Sequence, residues 1–165
     1  MGWNKKRESL ESANSALAKT LIQDPGLKIH RVTHSHKPIQ GSIAVTSPPR
    51  SKKQIGAWRS QIDQQVFWQL KHRELASPQL THEARQLFDA LEISRIDILA
   101  SREYRGMKEN IENRCNEELE SNPSNQLVKN IPYFLRKKSG MQIYNIKIVA
   151  ELDKVSDIVE RLLTA

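Results

Sequence analysis

Apolar residues recur at every third or fourth position along most of the chain, and this spacing is typical of amphipathic helices. The pattern predicts helices over residues 5–23, 52–74, 82–105, 107–120 and 126–138. Proline, glycine and small polar residues separate these stretches and end helices, as in 24–26 and 122–124. Thr81 is placed to cap the third helix, and Gly106, which lacks a Cβ, permits the chain to bend or end there.

Two shorter stretches, residues 27–36 and 42–46, alternate between apolar and polar residues, and this period predicts strands. Residues 37–41 contain a proline and a glycine and suit a turn, so we expect a small β-hairpin near residues 27–46. Because two strands are only marginally stable alone, the hairpin should pack on the helices. The predicted fold class is therefore mainly α with a minor β part: a multi-helix domain with one small hairpin.

The chain has 165 residues, which is room for one domain with an extension. We predict a helical domain over residues 1–140 and a C-terminal helical extension over 141–165 that packs on the same domain. Within this extension, the apolar residues of 143–149 also suit a strand, whereas those of 152–162 follow a helical period.

The helix predicted over residues 82–105 places charged residues among apolar ones. On a helical projection, Arg95 and Arg102 fall within the arc of its apolar side chains. A buried guanidinium group is costly unless it is paired. The two arginines therefore either form a positive patch in a groove that holds a carboxylate, or are structural and paired with acidic side chains. Candidate acids are Glu92, Asp63 and Glu118. Arg85 and Asp89 form a separate polar stripe with Glu92, at spacings that allow ion pairs.

Composition and charge exclude several classes of protein. No run of about 18 apolar residues is present to span a membrane. A secretory signal has an apolar stretch after its basic start, and none follows the basic N-terminus here. The single cysteine, Cys115, allows neither an intrachain disulfide nor a thiolate zinc site. We therefore expect a cytoplasmic protein.

The net charge is +7, from 26 Lys and Arg against 19 Asp and Glu. Binding of an anionic partner such as nucleic acid is therefore an open possibility.

Sequence motifs of the common enzyme classes are absent, including phosphate-binding loops, dinucleotide-binding glycines and the zinc motif H-E-x-x-H. His30, His34 and His36 are the closest group of histidines, and on a strand their rings would share one face. Such a group could bind Zn²⁺, Ni²⁺ or Co²⁺, but no carboxylate or cysteine lies nearby in sequence to complete a metal site. The alternative is three partly exposed histidines of a mobile hairpin.

One segment resembles a known family. Residues 84–111 are similar, without a gap, to the segment A-R-x-[LV]-F-D-A-[LV]-E-x-x-R in the N-terminal region of CobT, a subunit of aerobic cobaltochelatase. Later positions of the same resemblance are Ser94, Arg95, Ile96, Asp97, Arg102, Gly106 and Asn110. Pro48, Pro49 and Arg50 resemble the family's P-P-R before a helix, and Arg59 and Asp63 resemble its R-x-x-x-D. The resemblance covers about residues 10–140 and is weaker over 127–140.

The resemblance implies a role in cobalamin biosynthesis. In that family, the subunit joins an AAA+ ATPase subunit and a large catalytic subunit, and the complex uses ATP and Mg²⁺ to insert Co²⁺ into hydrogenobyrinic acid a,c-diamide. The family protein continues with an acidic linker and a von Willebrand A-type domain, neither of which has a counterpart here. We therefore expect a fragment, a truncated gene product or a split subunit. By resemblance, it is an assembly or scaffold module without catalytic residues or a cofactor of its own.

The residues expected to matter most form a polar cluster on the third helix, with a role in partner binding or in folding. These residues are Arg85, Asp89, Glu92, Arg95 and Arg102. Pro48, Pro49 and Arg50 are expected to form a rigid connector, since each proline restricts the residue before it. The alternative hypothesis is a basic helical module that binds nucleic acid or another anionic partner, although no compact helix-turn-helix with a short glycine turn is present.

Overall fold

The computed structural model describes residues 3–34, 38–72, 80–124 and 126–147, and in them the chain folds mainly into helices. In chain order, the elements are α1 (Trp3–Ile22), β1 (Lys28–Val32), β2 (Ser42–Thr46), α2 (Ile55–Lys71), α3 (His82–Glu103), α4 (Arg105–Ser121) and α5 (Leu127–Lys138). A 3₁₀ turn over Lys52–Gln54 precedes α2. The predicted fold class, mainly α with a minor β part, is confirmed.

The two strands run parallel, so the predicted β-hairpin is wrong. Lys28 pairs with Ser42 at one end of a single register. Both strands therefore start at the same end of the sheet. A tight turn precedes β2, and in it Ser42 N donates to Ile39 O at 3.4 Å. Gly41 takes φ +79° in this turn, a conformation that residues with a Cβ rarely adopt. Alternation locates a strand but does not give its direction, because the period of two is the same in parallel and antiparallel pairs.

Glutamine side chains of α2 occupy the edge of β2 that faces away from β1. Gln65 accepts from Ala44 N at 2.7 Å and donates to Ala44 O at 2.5 Å, as a neighbouring strand would. One helical turn later, Gln69 donates to Ser42 O at the start of β2, at 3.2 Å. In the turn before the strand it also accepts from Gly41 N at 2.8 Å and donates to Ile39 O at 2.6 Å. An open strand edge carries unpaired backbone groups. The two amide side chains satisfy those groups, and they attach the sheet to α2.

Helix α2 lies in the centre of the hydrophobic core, with Trp58, Ile62, Val66 and Phe67 buried. The other helices and the sheet contribute further buried apolar residues: Ala18, Ile43, Ile96, Ile111, Cys115 and Phe134. Trp58 also donates its indole N–H to a backbone oxygen at the end of β2, at 2.8 Å. The core therefore packs α2 directly against α1, β2, α3 and α4, while α5 packs on α3.

A single extended residue, Tyr104, separates α3 from α4, with φ −137° and ψ 111°. Its ring packs edge-on against Phe67, with 5.7 Å between the ring centroids. The break therefore lies at Tyr104 rather than at Gly106, which is in the first turn of α4. The helix therefore ends at the extended backbone of Tyr104, one side of whose ring contacts Phe67. The cap predicted at Thr81 is confirmed, since Ala84 N donates to its hydroxyl oxygen at 3.3 Å.

The chain after α5 packs on the same core as the helices. Gly140 ends α5 with φ +95°, and Met141, Ile143 and Ile146 are buried. Residues 141–147 are neither helix nor strand, so the strand considered for residues 143–149 is not formed in the described part. The helical extension was predicted over 141–165, and its part with a clear helical period, residues 152–162, lies outside the described residues. No helix in the described ranges combines the length and the apolar character that crossing a bilayer requires.

Candidate functional site

The predicted apolar face of α3 is wrong in its second half, because Arg95 and Arg102 are exposed. The buried side chains there belong to Ser94, Ile96, Asp97, Ile98 and Ala100. The apolar residues in the first half of α3 predicted which side of the helix is buried. In the second half, α2, α4 and α5 cover a different side, so that prediction fails there. The buried charge on α3 is thus the carboxylate of Asp97.

Arg95 pairs with Glu92, as one of the two interpretations of its sequence position predicted. Its Nε and Nη2 donate to the two carboxylate oxygens of Glu92, each at 2.7 Å, and Nη2 also donates to Lys71 O at 3.1 Å. The ring of His72, stacked on Trp68, lies 3.1 Å from the same carboxylate. The hydrogen bonds from Arg95, and then that from His72, lower the pKa of Glu92. This arrangement ties the end of α2 to the middle of α3.

The remaining predicted site residues are not brought into one cluster. Arg85 and Asp89 are partly buried near the start of α3, and Arg102 is exposed at its other end, so the five polar residues extend along the helix. Pro48 is buried and Arg50 is exposed in the segment that links β2 to the 3₁₀ turn. The expected roles of these residues, in partner binding or as a connector, stay predictions.

The histidine group does not form a described metal site. His30 lies on β1 and His34 follows it, and both are exposed, while His36 lies outside the described residues. Among the described residues, no three His, Cys, Asp or Glu side chains are placed to hold a metal ion.

A buried ion cluster that the sequence did not reveal joins α3, α4 and α5. Asp97 has no exposed surface, and its Oδ2 accepts from Arg114 Nη2 at 2.6 Å and from Arg136 Nη2 and Nε at 2.7 and 2.9 Å. Burial alone raises the pKa of Asp97, but the charges of Arg114 and Arg136 outweigh it and hold the pKa below its usual value. The available signal was that Asp97 lies between Ile96 and Ile98.

A second buried carboxylate, Asp63, lies in a cleft of about 510 Å³ between α1, α2 and the α3–α4 junction. It is 5% exposed, and Asn110 Nδ2 donates to its Oδ2 at 3.0 Å. Arg59 lies one turn earlier on α2, and Gly106 and Tyr104 form part of the wall. We call this site the Asp63 cleft. Arg59, Asp63, Gly106 and Asn110 all belong to the segments that carry the family resemblance, and the fold brings them together.

The charges in the Asp63 cleft are incompletely paired. Burial raises the pKa of Asp63, and the hydrogen bond from Asn110 and the charges of Arg59 and Arg114 offset this only in part. Within the described ranges, Asp63 has no ion-pair partner within 4.0 Å, and the buried Nε of Arg59 has no hydrogen-bond partner. A buried carboxylate with a perturbed pKa in a cleft is a functional candidate. We therefore take the Asp63 cleft as the candidate functional site.

Asp63→Asn is expected to stabilise the isolated protein at neutral pH, because it removes a buried charge and keeps an oxygen for Asn110. The pKa of Asp63 is higher in the folded state, so its ionised form opposes folding above the unfolded pKa. The gain in unfolding free energy should therefore grow as the pH rises through the folded pKa and vanish below about pH 4. Urea unfolding at several pH values measures it. Glu8→Gln, at an exposed position, is the matched control; an equal gain in both variants would contradict the assignment.

The comparisons with known proteins give one result. The family model described as cobalamin biosynthesis protein CobT matches residues 4–141, from the first turn of α1 to just beyond the end of α5. No curated protein and no solved structure matches the chain.

Proposed function

The chain belongs to the CobT family of cobalamin biosynthesis proteins, and on this premise we propose that it is an accessory subunit of the ATP-dependent cobaltochelatase. Its role is assembly: it binds other subunits and transmits their conformational change, while the chemistry takes place elsewhere. The complex inserts Co²⁺, its substrate, into hydrogenobyrinic acid a,c-diamide. The proposed partners are the AAA+ ATPase subunit, which carries ATP and Mg²⁺, and the large catalytic subunit. The proposed location is the cytoplasm.

The observation that carries the assembly role is the contrast between the two buried carboxylates. Asp97 receives two guanidinium groups and serves the fold. Asp63 receives one amide hydrogen bond from the described residues and faces a cleft. A carboxylate retained at a cost to stability is typical of a site that selection keeps for function. Asp63 therefore offers a hydrogen-bond acceptor to a second molecule.

The rim of the Asp63 cleft is suited to a protein partner. Leu17 and Tyr104 are 39% and 44% exposed there, and the charged side chains of Glu103, Arg105 and Glu109 surround them. An apolar centre with a polar rim is the usual composition of a protein interface. We propose that a partner side chain with N–H donors enters the cleft and pairs with Asp63, while apolar residues of the partner cover Leu17 and Tyr104.

Co-elution tests the proposal. The tagged chain is mixed with the AAA+ and large subunits of a cobaltochelatase and analysed by size exclusion, with and without ATP. We expect the wild-type chain and Glu8→Gln to co-elute with at least one subunit, and folded Asp63→Asn to elute alone. Arg85→Ala and Arg95→Met test the cluster predicted on α3 in the same experiment.

Three outcomes would contradict the proposal. If the folded wild-type chain elutes alone under all conditions, the described domain does not carry the assembly surface. If it instead retains nucleic acid, and the retention falls steeply between about 50 and 200 mM salt, the alternative of a basic module holds. If Asp63→Asn co-elutes as the wild type does, the assembly surface lies outside the Asp63 cleft.

A further inference from the structure

A second cleft, of about 410 Å³, opens above the buried ion cluster. We call it the arginine cleft. Its inner end is formed by the guanidinium groups of Arg114 and Arg136, whose side chains are 7% and 6% exposed. Apolar residues of α3 and α5 form much of its walls: Leu87, Ala90, Ile93, Val128 and Pro132. The amide side chains of Gln61 and Gln64, from α2, and of Gln86 complete them. An apolar cleft with a few convergent polar groups is the usual form of a small-ligand site.

The arginine cleft contains more positive charge than its buried acid neutralises. Two guanidinium groups share the single carboxylate of Asp97, and both hydrogen-bond to one oxygen of it. The exposed ammonium group of Lys129 adds a third positive charge at the rim. The next acid, Glu118, is 49% exposed, and its oxygen lies 3.7 Å from Arg114 Nε, beyond normal hydrogen-bond distance.

The guanidinium group of Arg136 and the Nε of Arg114 also have donor capacity to spare. A guanidinium carries five N–H groups. In the described structure, Arg136 uses three hydrogen bonds, two to Asp97 and one to Pro132 O at 3.0 Å. Arg114 donates to Asp97 and to Ser60 O at 3.3 Å. In the amide orientation of Gln64 that satisfies both ends of its side chain, the Gln64 oxygen also accepts from Nη1 and Nη2 of Arg114, at 2.8 and 3.0 Å. The free donors of Arg114 are therefore reduced to its Nε. At the mouth of the cleft, the hydroxyl of Tyr133 donates to the carboxylate of Glu118 at 2.9 Å. The protein's own carboxylate is thus held close to the two guanidinium groups.

We propose that the arginine cleft binds a carboxylate group carried on an apolar body. The carboxylate lies beside Glu118, within reach of Arg114, Arg136 and Lys129, and the apolar body lies against the walls formed by α3 and α5. Carboxylates suit guanidinium groups because both are planar and pair through charge-assisted hydrogen bonds. The carboxylate comes either from a small organic acid or from an acidic side chain of a polypeptide. This proposal does not rest on the assembly function.

Nuclear magnetic resonance titration of the isotope-labelled full chain tests the proposal. The first probe pair is hexanoate and its uncharged isostere hexanamide, at constant ionic strength. The second pair is an acetylated pentapeptide of leucines around one glutamate and the same peptide with glutamine. We expect saturable shifts at Lys129 and Tyr133 with at least one carboxylate probe, and affinity at least about tenfold weaker for its neutral counterpart. The probe that binds more tightly identifies the source of the carboxylate.

Variants at the mouth should change the affinity in opposite directions without disturbing the core. Glu118→Gln removes the competing carboxylate and should raise the affinity about threefold, whereas Lys129→Gln should lower it by a similar factor. Lys53→Gln, at an exposed position before α2, is the control and should have no effect. Unfolding midpoints near that of the wild type show that the variants are folded. Equal affinity for charged and neutral probes, or no saturable shift with any probe, would overturn the proposal.

Discussion

Asp97→Asn is expected to lower the unfolding free energy by about 3–5 kcal/mol, because it leaves two buried guanidinium groups without a compensating charge. Asp97 has no exposed surface, and both arginines donate to the same oxygen. An asparagine oxygen still accepts hydrogen bonds but carries no full charge. Urea unfolding followed by circular dichroism at neutral pH measures the effect. A loss below about 1 kcal/mol would contradict the structural role of the cluster.

A triple variant separates the charge from the packing. Asp97→Leu combined with Arg114→Met and Arg136→Met removes all three charges and keeps much of the volume. Replacing a buried ion cluster with apolar residues is often neutral or stabilising, so this variant should be more stable than Asp97→Asn. If both variants are equally unstable, the loss comes from disturbed packing and not from the stranded guanidinium groups.

The ion cluster around Asp97 also makes the unfolding free energy depend on pH. The pKa of Asp97 is lowered in the folded state by Arg114 and Arg136, against the opposing effect of burial. The stabilisation is therefore complete above the unfolded pKa, near 4, and is lost as the pH falls through the lower folded value. The triple variant should lack this part of the acid sensitivity.

Gln65→Leu is expected to destabilise the protein by about 2–4 kcal/mol, since it leaves the N–H and C=O groups of Ala44 without partners. Gln65 is 2% exposed, so water has little access to the vacated groups. Thermal or urea unfolding measures the loss. Gln65→Asn keeps the amide but shortens the side chain by one methylene, so it should lose both hydrogen bonds and be destabilised as well.

The control for this prediction is Gln54→Leu, at an exposed position just before α2. A surface substitution of this kind usually changes the stability by less than about 0.5 kcal/mol. If Gln65→Leu and Gln65→Asn behave like Gln54→Leu, the sheet is held by its packing on α2. The amide bonds to β2 would then contribute little.

Much of the secondary structure follows from local features of the sequence. The predicted helices over 82–105, 107–120 and 126–138 agree closely with α3, α4 and α5. Helical period, an N-cap at Thr81 and terminators such as Gly140 act over a few residues, so a single sequence contains them. The direction of β2 depends instead on the turn at Ile39–Gly41 and on α2, and its local pattern is the same in either direction.

The candidate sites were predicted less well, because each depends on residues that are far apart in the chain. The resemblance contained Arg59, Asp63 and Asn110, but only the packing of α2 on α4 brings Asp63 and Asn110 within 3.0 Å. A positive groove for a carboxylate was one hypothesis for Arg95 and Arg102. The structure instead lines a cleft with Arg114 and Arg136, which come from α4 and α5, and carboxylate binding there is the proposal made above.

The sequence by itself determined that this protein is mainly helical, where most helices begin and end, and which family its residues resemble, since short-range periodicity, capping and local motifs carry that information. Only the tertiary structure decided which charges are buried, which carboxylate is paired and which clefts exist. The physical reason is that the free energy of a charge depends on its burial and on its partners, and both are set by neighbours that packing brings from other parts of the chain.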